Sequence, residues 1–120
     1  MQYALLIYQS PRWATLSSDA KNAVHVACGA WHEELVRAGQ SRTCAGLQPI
    51  TTATTFRGQD GQVTISDGPF AETKEVLGGL EIVECKDLDE AMAIARRFPA
   101  LDAGCVVEVR PLVPGNNCRD

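Results

Sequence analysis

The chain has no CxxC pair, no basic cluster, no long apolar run and no phosphate-cradling glycine loop, and each absence removes a class of function. Its five cysteines (28, 44, 85, 105 and 118) are odd in number and irregularly spaced. Disulfide frameworks and structural zinc sites leave regular spacings, so neither is expected. Lysine and arginine together number 11 against 15 acidic residues, for a net charge of −4. A nucleic-acid groove or an anionic membrane surface selects a basic field, so no nucleic acid and no membrane is expected as a partner. No segment approaches the roughly 20 apolar residues that span a bilayer. The opening MQYALLIYQSPR carries a short apolar run without a basic leader or a small-residue cleavage site, and so reads as structure rather than as a signal peptide. Reduced thiols in the cytoplasm are the expectation. No cofactor motif and no strong metal spacing occur, so neither a cofactor nor a metal is expected.

What is present is the balance of a folded domain, with 120 residues, 45% of them apolar and 22% charged. That length suits one domain with an ordinary hydrophobic core. Residues 1–112 read as this domain and 113–120 as a mobile C-terminal tail.

The run Tyr3 to Tyr8 is almost continuously apolar, the pattern of a strand covered on both faces, and Ser10-Pro11 ends it. A helix follows, with Ser17 or Ser18 as N-cap, an apolar stripe of Ala20, Val24, Ala27, Trp31 and Leu35, and Gly39 as its C-cap. A weakly marked strand spans Arg42 to Leu47. Thr51 to Arg57 and Gln62 to Ser66 form a hairpin about Gly58-Gln59-Asp60-Gly61. Asp67 to Gly79 breaks pattern and is expected to be a loop with at most one helical turn. Leu80 to Cys85 resumes a strand. Asp87 and Glu90 resemble a capping box opening a second helix through Phe98, which Pro99 closes. Cys105 to Arg110 is the last strand.

This order predicts an α+β, ferredoxin-like (split βαβ) two-layer sandwich with an inserted hairpin. Two helices cover only one sheet face. The other face is partly apolar, with Val106, Glu108 and Arg110 sharing one side of the last strand. Such a face calls for a partner, and a second copy about a two-fold axis supplies it, leaving a cleft between sheets.

The most distinctive stretch is Asp67-Gly68-Pro69-Phe70-Ala71-Glu72-Thr73-Lys74-Glu75, followed by Gly78-Gly79. Asp-Gly-Pro makes a stiff turn, and Phe70 is available to anchor the loop in the core; on that reading Asp67 is a turn-maker. On the first helix His25, Cys28 and His32 stand at i, i+3 and i+7, on one side. Histidine is the natural proton carrier near neutral pH, and Asp67 could orient it. Cys28 could instead act as a nucleophile if a histidine lowered its pKa, or the three could hold a transition metal. The plain alternative is that Cys28 packs beside Trp31 with the histidines at the border of the stripe. Arg110 is an available cation for an anionic ligand, or it pairs with Glu108 or Glu81 across strands.

The motif DGPFAETKE with its trailing glycine pair resembles the signature of the DGPF-type branch of the YCII-related family. The stretches ALLIY…EELVRAG and VVEVRPL are similar to that family's too, so the resemblance runs from Met1 to about Leu112. It implies a ferredoxin-like fold of the dimeric α+β barrel type. It also implies members linked to extracytoplasmic-function sigma factors and, in the wider branch, a dehydrochlorinase-type lyase whose chemistry is attributed to a His and Asp pair. The family's usual helix histidine falls at Cys28 here.

The leading expectation is a homodimer that binds a small organic molecule in the inter-sheet cleft. If it is an enzyme, it is a lyase- or isomerase-like acid–base catalyst without a redox cofactor. Asp67, His25, His32 and Cys28 are then the catalytic candidates, and Arg110, Glu108, Lys74 and Phe70 the ligand-binding ones. The rivals are a non-catalytic sensor or partner module working with a sigma factor or other regulator, and a purely structural dimer.

Overall fold

The computed structural model describes residues 1–116; the last four residues of the expected tail lie outside the described residues, and Pro114–Asn116 form a short 3₁₀ turn. The elements run β1 (Gln2–Gln9), α1 (Pro11–Ala14), α2 (Ser18–Arg37), β2 (Ser41–Gly46), β3 (Thr54–Gln59), β4 (Gln62–Asp67), β5 (Val76–Glu84), α3 (Leu88–Arg96) and β6 (Cys105–Pro111). Four strands form an antiparallel sheet in the order β2-β5-β1-β6, while β3 and β4 make a separate two-stranded arm. This is the ferredoxin-like split βαβ sandwich with an inserted hairpin, a fold of the dimeric α+β barrel type.

Helix α2 starts because the Ser17 hydroxyl accepts from the Ala20 N–H at 3.1 Å. It stops at Ala38, one residue before the expected cap. Gly39 takes φ +70°, and the Gly39 and Gln40 N–H groups bond back to the carbonyls of Val36 and Leu35. The buried side of α2 is Trp31 and Leu35 with Val24 and Cys28 partly covered, whereas Ala27 is exposed. Cys28, not Ala27, therefore completes the stripe, four residues after Val24. Helix α3 is capped by Asp87, whose carboxylate accepts from Glu90 N–H at 2.9 Å. It ends at Arg96, and Pro99 opens a 3₁₀ turn rather than closing the helix.

Both helices cover the sheet face that carries Tyr3, Leu5, Val83, Cys85 and Cys105. The opposite face presents Ala4, Leu6, Tyr8, Leu80, Ile82, Val106, Glu108 and Arg110, because partners in register share a face.

Several local expectations are corrected. The hairpin turn is the pair Asp60-Gly61, both at positive φ, so Gly58 lies within β3. β3 starts at Thr54, since Ile50–Thr52 form a 3₁₀ turn. β5 starts at Val76, so Gly78-Gly79 belongs to a strand instead of a loop, and no helical turn precedes it. Gly79 fits there because β2 passes close: a Cβ on it would stand 2.9 Å from the Ala45 carbonyl oxygen. Helix α1 was not foreseen; Pro11 at its first position presets the helical φ.

Candidate functional site

Between α2 and the sheet lies a cavity of about 370 Å³. Its walls are mainly apolar and aromatic, with Ile7, Trp13, Val24, Trp31 and Phe98, and its polar groups are Gln9, His25, Cys28, His32, Cys44 and Cys105. Trp31 is fixed by its indole N–H, which donates to the Ile94 carbonyl at 3.1 Å, and by an edge-on contact with Phe98 at 5.0 Å between ring centres. Trp13 reaches the cavity from α1 and lies 5.5 Å from the His25 ring. Gly29 lines the cavity, and a Cβ on it would meet nothing within 4 Å.

Beside the cavity stands Glu81, only 1% exposed and the only charged side chain buried among the described residues. The Ser41 hydroxyl donates to its carboxylate at 2.6 Å, and His32 Nδ1 lies 3.0 and 3.2 Å from its two oxygens. Cys44 completes the group: His32, Cys44 and Glu81 each offer one atom, all within 4.8 Å of one another. Three elements converge here. α2 brings His32, β5 brings Glu81, and the edge strand β2 brings both Ser41 and Cys44.

That last placement depends on a bulge. Ser41 pairs with Val83, Thr43 with Ile82 and Cys44 with Glu81, so Arg42 is the extra residue. In a regular strand residues 41 and 44 would point to opposite faces. The bulge turns Ser41 to the face of Val83, which is also that of Glu81 and Cys44.

The thiols are held protonated. Burial pushes the Cys28 thiol up, a bond from the Ala100 backbone opposing it in part. This is the reverse of what a nucleophile activated by a histidine needs. Cys105 is raised by burial and by neighbouring Cys28. Cys44 is pushed up to about 11 by loss of solvent and then by the Glu81 carboxylate.

The structure thus gathers His25, Cys28 and His32 on one cavity wall. Asp67 is not among the cavity's lining residues. It is the exposed last residue of β4, opposite Thr54, and its carboxylate has no hydrogen bond among the described residues. Phe70 is 71% exposed and does not anchor the loop in the core. The loop follows the hairpin arm, away from the core, and backbone carbonyls tie it down instead: Thr55 donates to Gly68 at 2.7 Å and Arg57 to Phe70 at 2.6 Å. Lys74 and Glu108 both line a cleft on the outer sheet face with Tyr8 and Val106. Arg110 is exposed on that same face and cannot pair with Glu81, which points the other way.

Sequence reasoning passed over Ser41, Cys44, Trp13 and the burial of Glu81. For Glu81 a signal existed: it shares the strand phase of Val83 and Cys85. Leu80 and Ile82 make the other phase equally apolar, so alternation alone did not say which was inside.

The sequence profile of the YCII-related domain matches residues 1–114. An uncharacterised protein of Rhizobium meliloti is 37% identical over 114 residues, covering 93% of this chain and 92% of its own. Among solved structures, the 5-chloro-2-hydroxyhydroquinone dehydrochlorinase of Burkholderia phenoliruptrix, in complex with 2,5-dihydroxybenzoquinone, superposes with a TM-score of 0.56 at 17% identity over 96% of both chains. At that identity the likeness is one of fold.

Proposed function

We propose the following for this chain, which belongs to the YCII-related domain family: it binds a small, ring-bearing organic molecule in the cavity between α2 and the sheet and moves a proton on it through His32. The observation that carries this reading is the buried Glu81 carboxylate held 3.0 Å from His32 Nδ1. A carboxylate on Nδ1 fixes the proton there and leaves Nε2 as the base. Nε2 makes no hydrogen bond among the described residues, and His32 lines the cavity. Ser41 keeps the second lone-pair direction of Glu81 satisfied, so the carboxylate stays oriented toward the ring. The aromatic walls favour a flat ligand, and the dehydrochlorinase of the same fold, bound to a quinone, makes a lyase- or isomerase-type step the natural expectation. Asp67 has no part in this arrangement; Glu81 supplies the carboxylate instead.

The same reading makes the protein a homodimer through its outer sheet face and places it in the cytoplasm. Support for the first is the uncovered face with Leu6, Leu80 and Ile82, and the exposed Phe56, Val63 and Ile65 of the arm. Support for the second is that Cys28, Cys44, Cys85 and Cys105 are all unpaired. No helix among the described residues is long and apolar enough to cross a membrane. The rival reading, a partner module for a regulator, draws on the same exposed arm.

Dihydroxybenzoquinone is a suitable probe, because Trp13 and Trp31 line the cavity and report binding by fluorescence. The expected result is saturable quenching that Gly29→Phe, which adds a ring at the cavity wall, abolishes. In His32→Gln the probe should still bind, but without the proton that the wild-type protein takes up from solvent when it binds the probe's anion. Quenching that survives Gly29→Phe would place the ligand elsewhere and overturn the reading.

A further inference from the structure

We propose that His32, Cys44 and Glu81 form a binding site for one divalent cation of borderline softness, of the zinc class, per chain. The inference goes beyond the acid–base reading, with which it shares two residues, and it stands or falls separately. Three observations carry it. The donor set is mixed nitrogen, sulfur and oxygen, the combination that suits zinc and that calcium or magnesium avoids. The three donor atoms lie within 4.8 Å of one another. Around a tetrahedral zinc they would stand roughly 3.3–3.6 Å apart, a spacing that follows from ordinary metal–ligand lengths. His32 and Glu81 are already closer than that, so a small swing of the Cys44 side chain on the edge strand closes the site.

The third observation is the burial of the acid. A carboxylate that is 1% exposed is expected to be paired or to coordinate a metal. The Ser41 hydroxyl satisfies a hydrogen bond of the carboxylate without cancelling its charge, and a cation held between it and His32 would do so. Ser41, bonded to the carboxylate at 2.6 Å, would then orient the ligating oxygen, as outer-shell partners do. The bulge at Arg42 acquires a purpose here, since it alone lets one strand present both the orienting hydroxyl and the thiol. His32 and Cys44 also line the cavity, so a cation held between them borders the space a ligand would fill.

Binding has a chemical consequence for His32. An ion on Nδ1 displaces the proton from that nitrogen, and the proton then resides on Nε2. The face toward the cavity turns from proton acceptor to proton donor, and the Cys44 thiol releases its proton to solvent as it ligates. The cation therefore opposes the removal of a proton by His32.

Cobalt(II) is the probe, added to metal-free protein at neutral pH under reducing, anaerobic conditions. The expected result is one cobalt per chain with a near-ultraviolet thiolate-to-cobalt absorption. Cys44→Ser, an exposed position that the fold tolerates, should lose that absorption and weaken binding by about tenfold or more. Glu81→Gln should weaken binding while keeping the thiolate absorption. Absence of that absorption in the wild type, or its persistence in Cys44→Ser through another cysteine, would overturn the assignment. Quinone binding measured with a chelator present reads the acid–base proposal independently.

Discussion

Glu81 is where chemistry and stability pull apart. Placing a carboxylate in the core costs several kcal/mol, which its two hydrogen-bond partners only partly return. If it is kept for function, an apolar side chain of similar size should fold at least as well as the wild type. Glu81→Leu combined with Ser41→Ala, so that the hydroxyl is not left without its acceptor, is therefore expected to match or exceed wild-type stability in urea, while Glu81→Gln, which still needs polar partners, loses about 1–3 kcal/mol. The reverse order would make Glu81 a structural residue. The thiols make a second prediction at this scale. Burial raises Cys28, Cys85 and Cys105 above the ordinary value of 9.0, and Cys44 reaches about 11. Above that ordinary value the unfolded chain has lost thiol protons that the folded chain keeps, so the unfolded state binds fewer protons and stability falls with rising pH. The contribution is whole below pH 9.0 and is lost progressively as pH rises through the folded values toward 11. Urea midpoints measured with reductant and chelator should decline across that window, and more shallowly in Cys28→Ala.

Helix α2 was legible because its signals are local: Ser17 to start it, Gly39 to end it, and an apolar repeat between them. The hairpin was legible for the same reason, through the stretch Gly58 to Gly61, although only Asp60-Gly61 makes the turn. β2 was not, since nothing in SRTCAG marks a bulge, and a bulge decides which residues face inward. The candidate site divides likewise. His25, Cys28 and His32 could be grouped by helical spacing, but Glu81 and Cys44 join them only through the pairing of β2 with β5, a tertiary fact. Asp67 stood out because its motif is distinctive; the hairpin arm carries it away from the cavity. Gly29 belongs to this scale as well. A glycine in the interior of a helix costs roughly 0.5–1 kcal/mol against alanine, and Gly29 has open space where a Cβ would go. Gly29→Ala is expected to stabilise the protein by about that amount, read as a higher urea midpoint, and to weaken quinone binding because it adds a methyl at the cavity wall. Stabilisation without any loss of binding would separate Gly29 from the ligand space.

At the scale of the whole molecule the single chain is more open than its length requires. Its Cα radius of gyration is 16.2 Å and its extents are 47 × 41 × 19 Å. A compact chain of this length is expected near ~14 Å. The excess comes from a slab-like sheet with one uncovered face and from an arm, β3–β4, whose Phe56, Val63 and Ile65 are each more than 60% exposed. On the uncovered face Leu6 pairs with Leu80, Ala4 with Ile82 and Tyr8 with Val106, giving three apolar cross-strand pairs side by side. Glu108 and Arg110 flank them, so a two-fold axis can set the acid of one copy against the base of the other. Packing two such faces hides the apolar pairs of both copies, and the arms then lie beside the partner. Sedimentation at micromolar concentration is expected to give a dimer. Ile82→Glu, a charge placed in the middle of that face without touching the α2 side, should shift the protein to monomer. A charge there leaves the core of each chain intact, so far-ultraviolet circular dichroism should not change. A wild type that sediments as a folded monomer, or an Ile82→Glu variant that remains as tightly paired, would mean that the face is covered by something other than a second copy.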